Sequence, residues 1–221
     1  MNSHRDVENL IKSRRDTKNF LSRRVSKKNI SKILEMGVWS PNHRMTEPWL
    51  FVPIERNSPT RMSIAQDIKK YVLKNSKNSN NKTISQSAKI SKEDFEKCPY
   101  IVYVFSKKGR NDEETLENYA STSISVQNMS LYAWSIGIGI HWSTGKPCKI
   151  QGLCSKLNVE ETSTPVGCLY MGYIKAKKDL KAGDKLDGEG GFCARGRLIT
   201  SEKSKKEMIL PLGLTDNAVL K

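Results

Sequence analysis

The chain lacks the features that mark a membrane or secreted protein. It has no run of about 18 uncharged apolar residues, the length that a membrane-spanning helix needs. Its first residues, Met-Asn-Ser-His-Arg-Asp, lack the apolar stretch of a secretory signal. The five cysteines are an odd number without a C-x-x-C pair, which argues against a disulfide framework and a tetrahedral zinc site. We therefore expect a cytoplasmic protein with reduced thiols and no metal site.

Acidic residues are scarce relative to basic ones. The 23 Asp and Glu against 38 Lys and Arg leave a formal net charge of +15, and residues 1–32 alone hold ten basic and three acidic residues. This excess suits a polyanionic partner, because clustered cations neutralise phosphates and release counterions. It equally suits a solvated lysine-rich surface. Since no helix-turn-helix, zinc-finger or aromatic RNA-stacking motif is present, a protein that binds nucleic acid or another polyanion remains only an alternative.

A chain of 221 residues with 37% hydrophobic content can bury a full core, and a single domain is favoured. Apolar spacing predicts a helix over residues 7–13 and a second over residues 27–39, capped by Ser26 and ended by Pro41. Runs of β-branched and aromatic residues predict strands over residues 49–54, 99–105, 138–142 and 165–174. The nearly all-apolar second run is typical of a central strand, whereas Pro53 places the first at a sheet edge or strand end.

A long apolar helix is predicted over residues 116–136. Asp112, Glu113 and Glu114 precede it, and negative charge is favourable near a helix N-terminus. Apolar or small residues occur on nearly every face, so the helix must be enclosed on all sides. It is either a central core helix or part of a subunit interface.

Two segments do not follow a regular pattern. Residues 74–92 are dominated by Lys, Asn and Ser, which predicts a mobile excursion, either a solvated loop or a lid over a ligand site. Beyond Lys175, glycines punctuate a charged stretch without helical or alternating period. This stretch is an extension that wraps a partner subunit or is partly disordered.

Two short motifs carry the chemistry. Residues 14–20, Arg-Arg-Asp-Thr-Lys-Asn-Phe, set phosphate-reaching cations beside a short apolar helix. Residues 40–49, Ser-Pro-Asn-His-Arg-Met-Thr-Glu-Pro-Trp, form a turn with a histidine that leads into a strand. This arrangement suits an anionic cofactor. No catalytic triad, carboxylate pair or metal-ligand cluster stands out, so no side chain is assigned as a catalytic acid, base or nucleophile.

In this order, followed by the long helix and by Gly-Ile-Gly-Ile-His-Trp-Ser-Thr-Gly at residues 137–145, the motifs resemble the nitroreductase family of FMN-dependent oxidoreductases. The resemblance covers about residues 6–176 and is strongest to the small branch with YdjA-like and BluB-like enzymes. It implies an α+β fold of three layers, with a central, mainly antiparallel sheet flanked by helices and a long buried helix at a dimer interface. An FMN-binding domain would span residues 1–176, and residues 177–221 would be the extension.

The resemblance also implies a set of cofactor-binding residues. The cations of the first motif would meet the FMN phosphate, Lys18 as a point charge without the fork of arginine, and Asp16 would accept from ribityl or flavin-edge groups. Two residues of the second motif would reach FMN bound mainly by the other subunit. His141, Trp142 and Ser143 would lie on a strand and turn beside the isoalloxazine ring. His141 departs from the family pattern and has no assigned role. The full set is Arg14, Arg15, Asp16, Lys18, Trp39, His43, His141, Trp142 and Ser143.

The implied activity is a ping-pong reaction in a homodimer with FMN at the subunit interface. NADH or NADPH would deliver hydride to the flavin and leave, and a small oxidant such as a nitroaromatic or a quinone would then use the same pocket. Because the cofactor supplies the reactive chemistry, the protein mainly binds, orients and tunes it. An alternative within the resemblance is a BluB-like enzyme that uses oxygen to modify the flavin itself.

Overall fold

The computed structural model describes residues 3–76 and 80–175. These residues form six α-helices and four β-strands. The helices are α1 (Ser3–Ser13), α2 (Lys27–Gly37), α3 (Pro59–Asn75), α4 (Asn81–Lys97), α5 (Asp112–Ser135) and α6 (Leu153–Leu157); the strands are β1 (Trp49–Ile54), β2 (Tyr100–Ser106), β3 (Ile138–Ser143) and β4 (Thr164–Tyr173). Short 3₁₀ turns lie at His43–Met45 and Lys146–Cys148. The predicted extension over residues 177–221 lies outside the described residues.

The four strands form one antiparallel sheet in the order β1-β2-β4-β3. Strand β2 is central and almost entirely buried, as its apolar run predicted. Strand β1 is at an edge, where the exposed Pro53 removes no hydrogen bond from an inner strand. The predicted strands and the antiparallel sheet are therefore confirmed.

Helices cover both faces of the sheet. On one face, α3, α4 and α6 pack with side chains such as Phe95 and Tyr103. On the other, α2 and α5 pack through residues such as Ile33, Val104 and Met129. This confirms the predicted three-layer α+β architecture. It also explains the long apolar runs of β2 and β4, because a strand covered on both faces has no polar side.

The long helix begins four residues earlier than predicted, so that Asp112, Glu113 and Glu114 form its first turn rather than preceding it. The side chain of Asn111 caps α5 by accepting from the backbone N–H of Glu114 at 2.8 Å. One face of α5 is buried in the core, but Leu116 is 71% exposed and Ile124 is also exposed. Within a single chain the helix is thus not enclosed on all sides, and its place at a dimer interface remains a prediction.

The prediction of a mobile excursion over residues 74–92 was wrong for residues 81–92, while residues 77–79 lie outside the described residues. Residues 81–92 belong to the regular helix α4, which Asn80 caps by accepting from the backbone N–H groups of residues 82 and 83 at 3.0 and 3.3 Å. Ala88 and Phe95 are fully buried, and Lys92 pairs with Glu96 across one turn at 2.6 Å. The many Lys, Asn and Ser residues of this segment therefore lie mainly on the exposed side of a packed helix.

Candidate functional site

The first motif lies along the outer edge of strand β3. Asp16 and Ile140 form a short parallel backbone pairing beside the antiparallel sheet. Gly139 makes this approach possible, since a Cβ atom there would stand 2.3 Å from Cγ2 of the buried Thr17. Further along, the backbone N–H of Leu21 donates to the carbonyl of Tyr173 at 2.8 Å. The fold therefore joins Asp16 to β3, the strand that carries residues 141–143, and joins Leu21 to the end of β4.

Asp16 fastens this junction with both carboxylate oxygens. Oδ2 lies 2.6 Å from Nδ1 of His141, and Oδ1 accepts from the backbone N–H of Trp142 at 3.1 Å. Both side chains of the Asp16–His141 pair are largely buried. Because a carboxylate can only accept, Nδ1 carries the proton in this contact. Asp16 thus binds the protein's own strand, and its predicted contact with the cofactor remains a prediction.

The two arginines of the motif stand at the end of helix α1. Nη1 of Arg15 donates to the carbonyls of Lys12 and Arg14 at 2.6 and 3.0 Å, which satisfies carbonyl groups that the ending helix leaves open. The backbone N–H of Arg14 donates to the carbonyl of Leu10 at 3.1 Å, and both arginine side chains are half-buried. A phosphate contact by either arginine remains a prediction.

Lys18 and His141 meet around one aromatic ring. Nζ of Lys18 lies 5.6 Å from the ring centroid of Tyr170, within cation–π range. The imidazole of His141 packs against the same ring at a centroid distance of 5.6 Å. Burial raises the pKa of Tyr170 well above its ordinary value, so its hydroxyl stays neutral beside these groups.

A cavity of about 900 Å³ runs along helix α4 and reaches Lys18. Its other lining groups include Lys82, Ser87, Ser91, Asp94 and Lys146. Nζ of Lys146 donates to Oγ of Ser91 at 2.9 Å, which links the turn after β3 to α4. A smaller cavity of about 190 Å³ is also bordered by Lys18, together with Phe20 and Tyr170.

Sequence reasoning missed the contribution of α4 because it interpreted that segment as a mobile excursion. The Asn80 cap and the oppositely charged residues four apart were signals that could have identified the helix. With α4 in place, lysines and hydroxyl groups line the cavity, and such groups suit an anionic or polar ligand.

The second motif lies apart from the first within this chain. Nδ1 of His43 stands 2.9 Å from the carboxylate oxygens of Glu117 on α5, and Oγ1 of Thr46 donates to Oδ1 of Asn118 at 2.8 Å. Trp39 is 75% exposed. In the part of the chain that the structure describes, neither Trp39 nor His43 has a hydrogen bond or ion pair with residues 14–18 or with β3.

The end of strand β3 is fixed by its neighbours. Nε1 of Trp142 donates to the carbonyl of Val166 at 3.0 Å, and its indole lies so close to Gly167 that a Cβ there would collide with it at 2.1 Å. The carbonyl of Ser143 accepts a weak bond from Sγ of Cys148 at 3.4 Å. The structure thus brings seven of the nine predicted residues to one region, namely Arg14, Arg15, Asp16, Lys18, His141, Trp142 and Ser143.

The four cysteines of the described residues are unpaired thiols. Burial raises the pKa of Cys98 to about 11 and that of Cys148 to about 12. Within residues 3–76 and 80–175, no group of three or more His, Cys, Asp or Glu side chains is arranged to hold a metal ion. A search of the same residues finds no helix with the length and apolarity to cross a bilayer.

Fold and site together define a three-layer α+β protein in which a basic N-terminal motif is joined to a sheet edge. The model of the nitroreductase family matches residues 11–173, and the chain belongs to that family, as its motifs indicated. It is 28% identical over 181 residues to a Bacillus subtilis (strain 168) protein provisionally assigned as the NAD(P)H nitroreductase YfhC, covering 82% of this chain and 91% of the relative.

Solved structures agree on the fold. A nitroreductase-like protein from Bacillus cereus superposes with a TM-score of 0.66 at 22% identity, covering 84% of this chain and 94% of the other. A nitroreductase with bound FMN from Bacteroides fragilis NCTC 9343 gives 0.62 at 22% identity, covering 86% and 98%. The FMN-dependent nitroreductase NfnB from Mycobacterium smegmatis, in complex with NADPH, gives 0.62 at 14% identity, covering 86% and 99%.

Proposed function

We propose that this protein is an FMN-dependent oxidoreductase that takes hydride from NADH or NADPH and reduces a small oxidant such as a nitroaromatic or a quinone. The observation that carries the proposal is the junction of residues 14–18 with strand β3 through Asp16, in a chain of the nitroreductase family. The Bacteroides fragilis and Mycobacterium smegmatis relatives are described with FMN, and the latter with NADPH, which supports the choice of cofactor and donor.

The residues at this junction fit an anionic flavin nucleotide. Arg14, Arg15 and Lys18 supply cations for the phosphate and the polar edge of the flavin, and arginine can meet phosphate oxygens with two parallel hydrogen bonds. The turn at Trp142 and Ser143 would lie beside the isoalloxazine ring. When bound, FMN supplies the acceptance and release of hydride, and these side chains bind and orient it.

We propose further that donor and oxidant use one pocket in turn, which is a ping-pong mechanism. The cavity along α4 is lined by the exposed lysines Lys82 and Lys146, and in this scheme both reactants use it in turn. Lysine and hydroxyl groups suit the phosphates of a dinucleotide and the polar substituents of an oxidant. In this scheme the reaction needs no dedicated acid or base from the protein. The choice of oxidant is therefore not restricted by such a group, and several oxidants are accepted.

A homodimer would complete the site, with Trp39 and His43 reaching FMN held mainly by the partner subunit. The separation of these two residues from the first motif is what such a composite site requires. Large apolar side chains are also uncovered nearby, with Trp39 75%, Met45 76% and Leu116 71% exposed. Exposed apolar groups of this size are typical of protein–protein interfaces.

The absorbance spectrum of the purified protein tests this function. We expect a yellow protein that binds added FMN and is bleached by NADH or NADPH under anaerobic conditions. The double variant Arg14→Ala/Arg15→Ala should lose FMN, because it removes the phosphate-binding cations. Arg23→Ala/Arg24→Ala removes the same charge outside the motif and should keep FMN.

Three outcomes decide between the candidates. Failure to bind FMN even after reconstitution would exclude a flavoenzyme. Loss of the flavin itself when the reduced protein meets oxygen would point instead to a BluB-like reaction. Salt-sensitive binding of nucleic acid that FMN does not displace would support a polyanion-binding protein.

A further inference from the structure

The cavity along α4 follows one face of that helix. Lys82 and Asp94, which both line it, are twelve positions apart, about 18 Å along a helix that rises about 1.5 Å per residue. Between them the lining residues recur at the spacing of three or four positions that places side chains on one face, namely Thr83, Gln86, Ser87, Ile90 and Ser91. The cavity is therefore elongated and has two distinct ends.

Lys18 lies at the end that belongs to the proposed flavin site. It borders both this cavity and the smaller one, and the smaller cavity meets α4 at its C-terminal end, from Asp94 onwards. Lys146, whose Nζ donates to Oγ of Ser91 at 2.9 Å, lies about one helical turn further along α4. The lysine at the other end is Lys82, in the first turn of α4.

The Lys82 end of the cavity carries positive charge that the described part of the chain does not neutralise. Away from the cavity, Glu93 of α4 pairs with Lys97 at 2.7 Å. Among the described residues, in contrast, no carboxylate pairs with Lys82, and the acidic lining residue Asp94 stands at the opposite end. The first turn of α4 contains no acidic residue, so the positive end of the helix dipole adds to the charge of the lysine. This end suits an anionic group.

We propose that Lys82 is a specificity residue that binds the 2′-phosphate of NADPH and makes NADPH the preferred electron donor over NADH. This inference rests on the proposed function and identifies its donor. A nitroaromatic or a quinone is a small ring system, which from the flavin end covers only part of the cavity. A nicotinamide dinucleotide extends from the ring that donates hydride, through a pyrophosphate, to its adenosine. The 2′-phosphate on that adenosine is what distinguishes NADPH from NADH.

The order of groups along the cavity matches the order of groups along this donor. The nicotinamide would lie beside Lys18, at the flavin end. Ser87, Ser91 and Lys146 come next, and they offer hydrogen bonds and a charge to the pyrophosphate that both donors share. Lys82 is farthest and meets the phosphate that NADPH alone carries. Because Lys82 is an exposed point charge, its contribution is that of one charge-assisted hydrogen bond.

The rate of flavin reduction tests this assignment. Anaerobic stopped-flow absorbance gives the second-order rate constants for bleaching of the flavin by NADPH and by NADH, and their ratio is the donor preference. Wild type should prefer NADPH. Lys82→Met should lower the preference about tenfold, as the loss of one charge-assisted hydrogen bond predicts, while the rate constant with NADH keeps its wild-type value. Lys82→Glu should lower the preference further, because a carboxylate repels the phosphate.

Calorimetry checks the same contact without the flavin reaction. Adenosine 2′,5′-bisphosphate and AMP differ in the 2′-phosphate alone, and each is titrated into wild type and into Lys82→Met. Wild type should bind the bisphosphate more tightly than AMP. The variant should lose about tenfold in affinity for the bisphosphate and keep its affinity for AMP.

Lys89→Met is the matched control, because Lys89 is an exposed lysine of the same helix that pairs with Glu93 at 4.0 Å and is not among the residues that line the cavity. It should keep the wild-type preference. An equal effect of Lys89→Met would overturn the proposal in favour of general attraction by a basic surface.

Two further results would contradict the proposal. One is a wild type that shows no preference for NADPH and binds the bisphosphate no better than AMP. The other is a Lys82→Met variant that slows both donors equally, as contact with the shared pyrophosphate predicts. A wild type that binds no FMN would overturn the proposed function instead, and the calorimetric comparison would then still test Lys82 by itself.

Discussion

Arg61 is fully buried, and no carboxylate among residues 3–76 and 80–175 pairs with it. Its Nε and Nη2 donate to the carbonyl of Phe95 at 3.0 and 2.7 Å, and Nη2 also donates to the carbonyl of Cys98. These carbonyls stand at the C-terminal end of α4, where the helix leaves acceptors open and where positive charge is favourable. Burial lowers the pKa of Arg61, because removal from water disfavours the charged form of the guanidinium.

We expect Arg61→Lys to lower the free energy of unfolding by about 2–3 kcal/mol, because an ammonium cannot reproduce the forked contact with both carbonyls. Urea denaturation followed by circular dichroism measures the loss. Arg110→Lys, at a largely exposed position, should change stability by less than about 0.5 kcal/mol. Equal stability of the Arg61 variant and wild type would mean that the α4 terminus is satisfied in another way.

The buried thiols predict that the free energy of unfolding falls at alkaline pH. In the unfolded chain cysteine loses its proton near its ordinary pKa of 9.0, whereas folding raises the pKa of Cys98 to about 11. Stability is therefore complete below pH 9 and falls as the pH rises towards 11, by about 1.4 kcal/mol per pH unit for this group. Denaturant midpoints at pH 7, 9 and 10 measure the fall, which should be smaller in Cys98→Ala. A native protein that iodoacetamide labels at Cys98 as fast as in urea at pH 8 would contradict this expectation.

At the level of elements, the sequence predicted those with a strong local signal. The Ser26 cap and the apolar runs of β2 and β4 identified their elements, because burial on both sides of a sheet leaves no polar alternation. Helices α3 and α4 were missed although Ser58 and Pro59 begin one and Asn80 begins the other. Composition alone could not show that a polar segment has one narrow buried face.

The cap of α4 can be tested directly. Asn80→Ala should destabilise the protein by about 1 kcal/mol, because it leaves the backbone N–H groups of residues 82 and 83 without their acceptor. Hydrogen exchange at these amides should accelerate in the same variant. Asn81→Ala is the control, since alanine is favourable inside a helix and Asn81 does not supply the cap. No change in either variant would mean that α4 does not begin at Asn80.

The approach of the first motif to β3 depends on one glycine. Gly139→Ala places a Cβ atom 2.3 Å from Cγ2 of Thr17, a short, β-branched and buried side chain that cannot move aside. We expect a loss of about 1–3 kcal/mol in stability and weaker FMN binding, measured by flavin fluorescence. Gly145→Ala meets no atom within 4 Å and should keep the stability of wild type. Unchanged FMN affinity in Gly139→Ala would separate the motif from the cofactor site.

For the whole molecule, motif order indicated which residues belong to the candidate site, but not how they meet. Residues 14–18 and 141–143 are more than a hundred positions apart, and the Asp16–His141 contact depends on how the chain returns to the sheet edge. The role of Asp16 could not be foreseen, because a carboxylate beside two arginines suggests a ligand as readily as a neighbouring strand. Within one chain, Trp39 and His43 remain separate from this group. They would join the proposed site only if a second subunit supplied them.

Mixed dimers test whether the site is shared between subunits. One subunit carries Arg14→Ala/Arg15→Ala and the other carries His43→Ala/Trp39→Ala, so that each homodimer alone should bind FMN poorly. If the site combines the arginines of one subunit with His43 and Trp39 of its partner, the heterodimer contains one intact and one doubly damaged site. We expect about one FMN per heterodimer, measured by absorbance after tandem affinity purification, with wild-type affinity. If all these residues served FMN within their own subunit, both sites would be damaged and the heterodimer would bind no better than either parent.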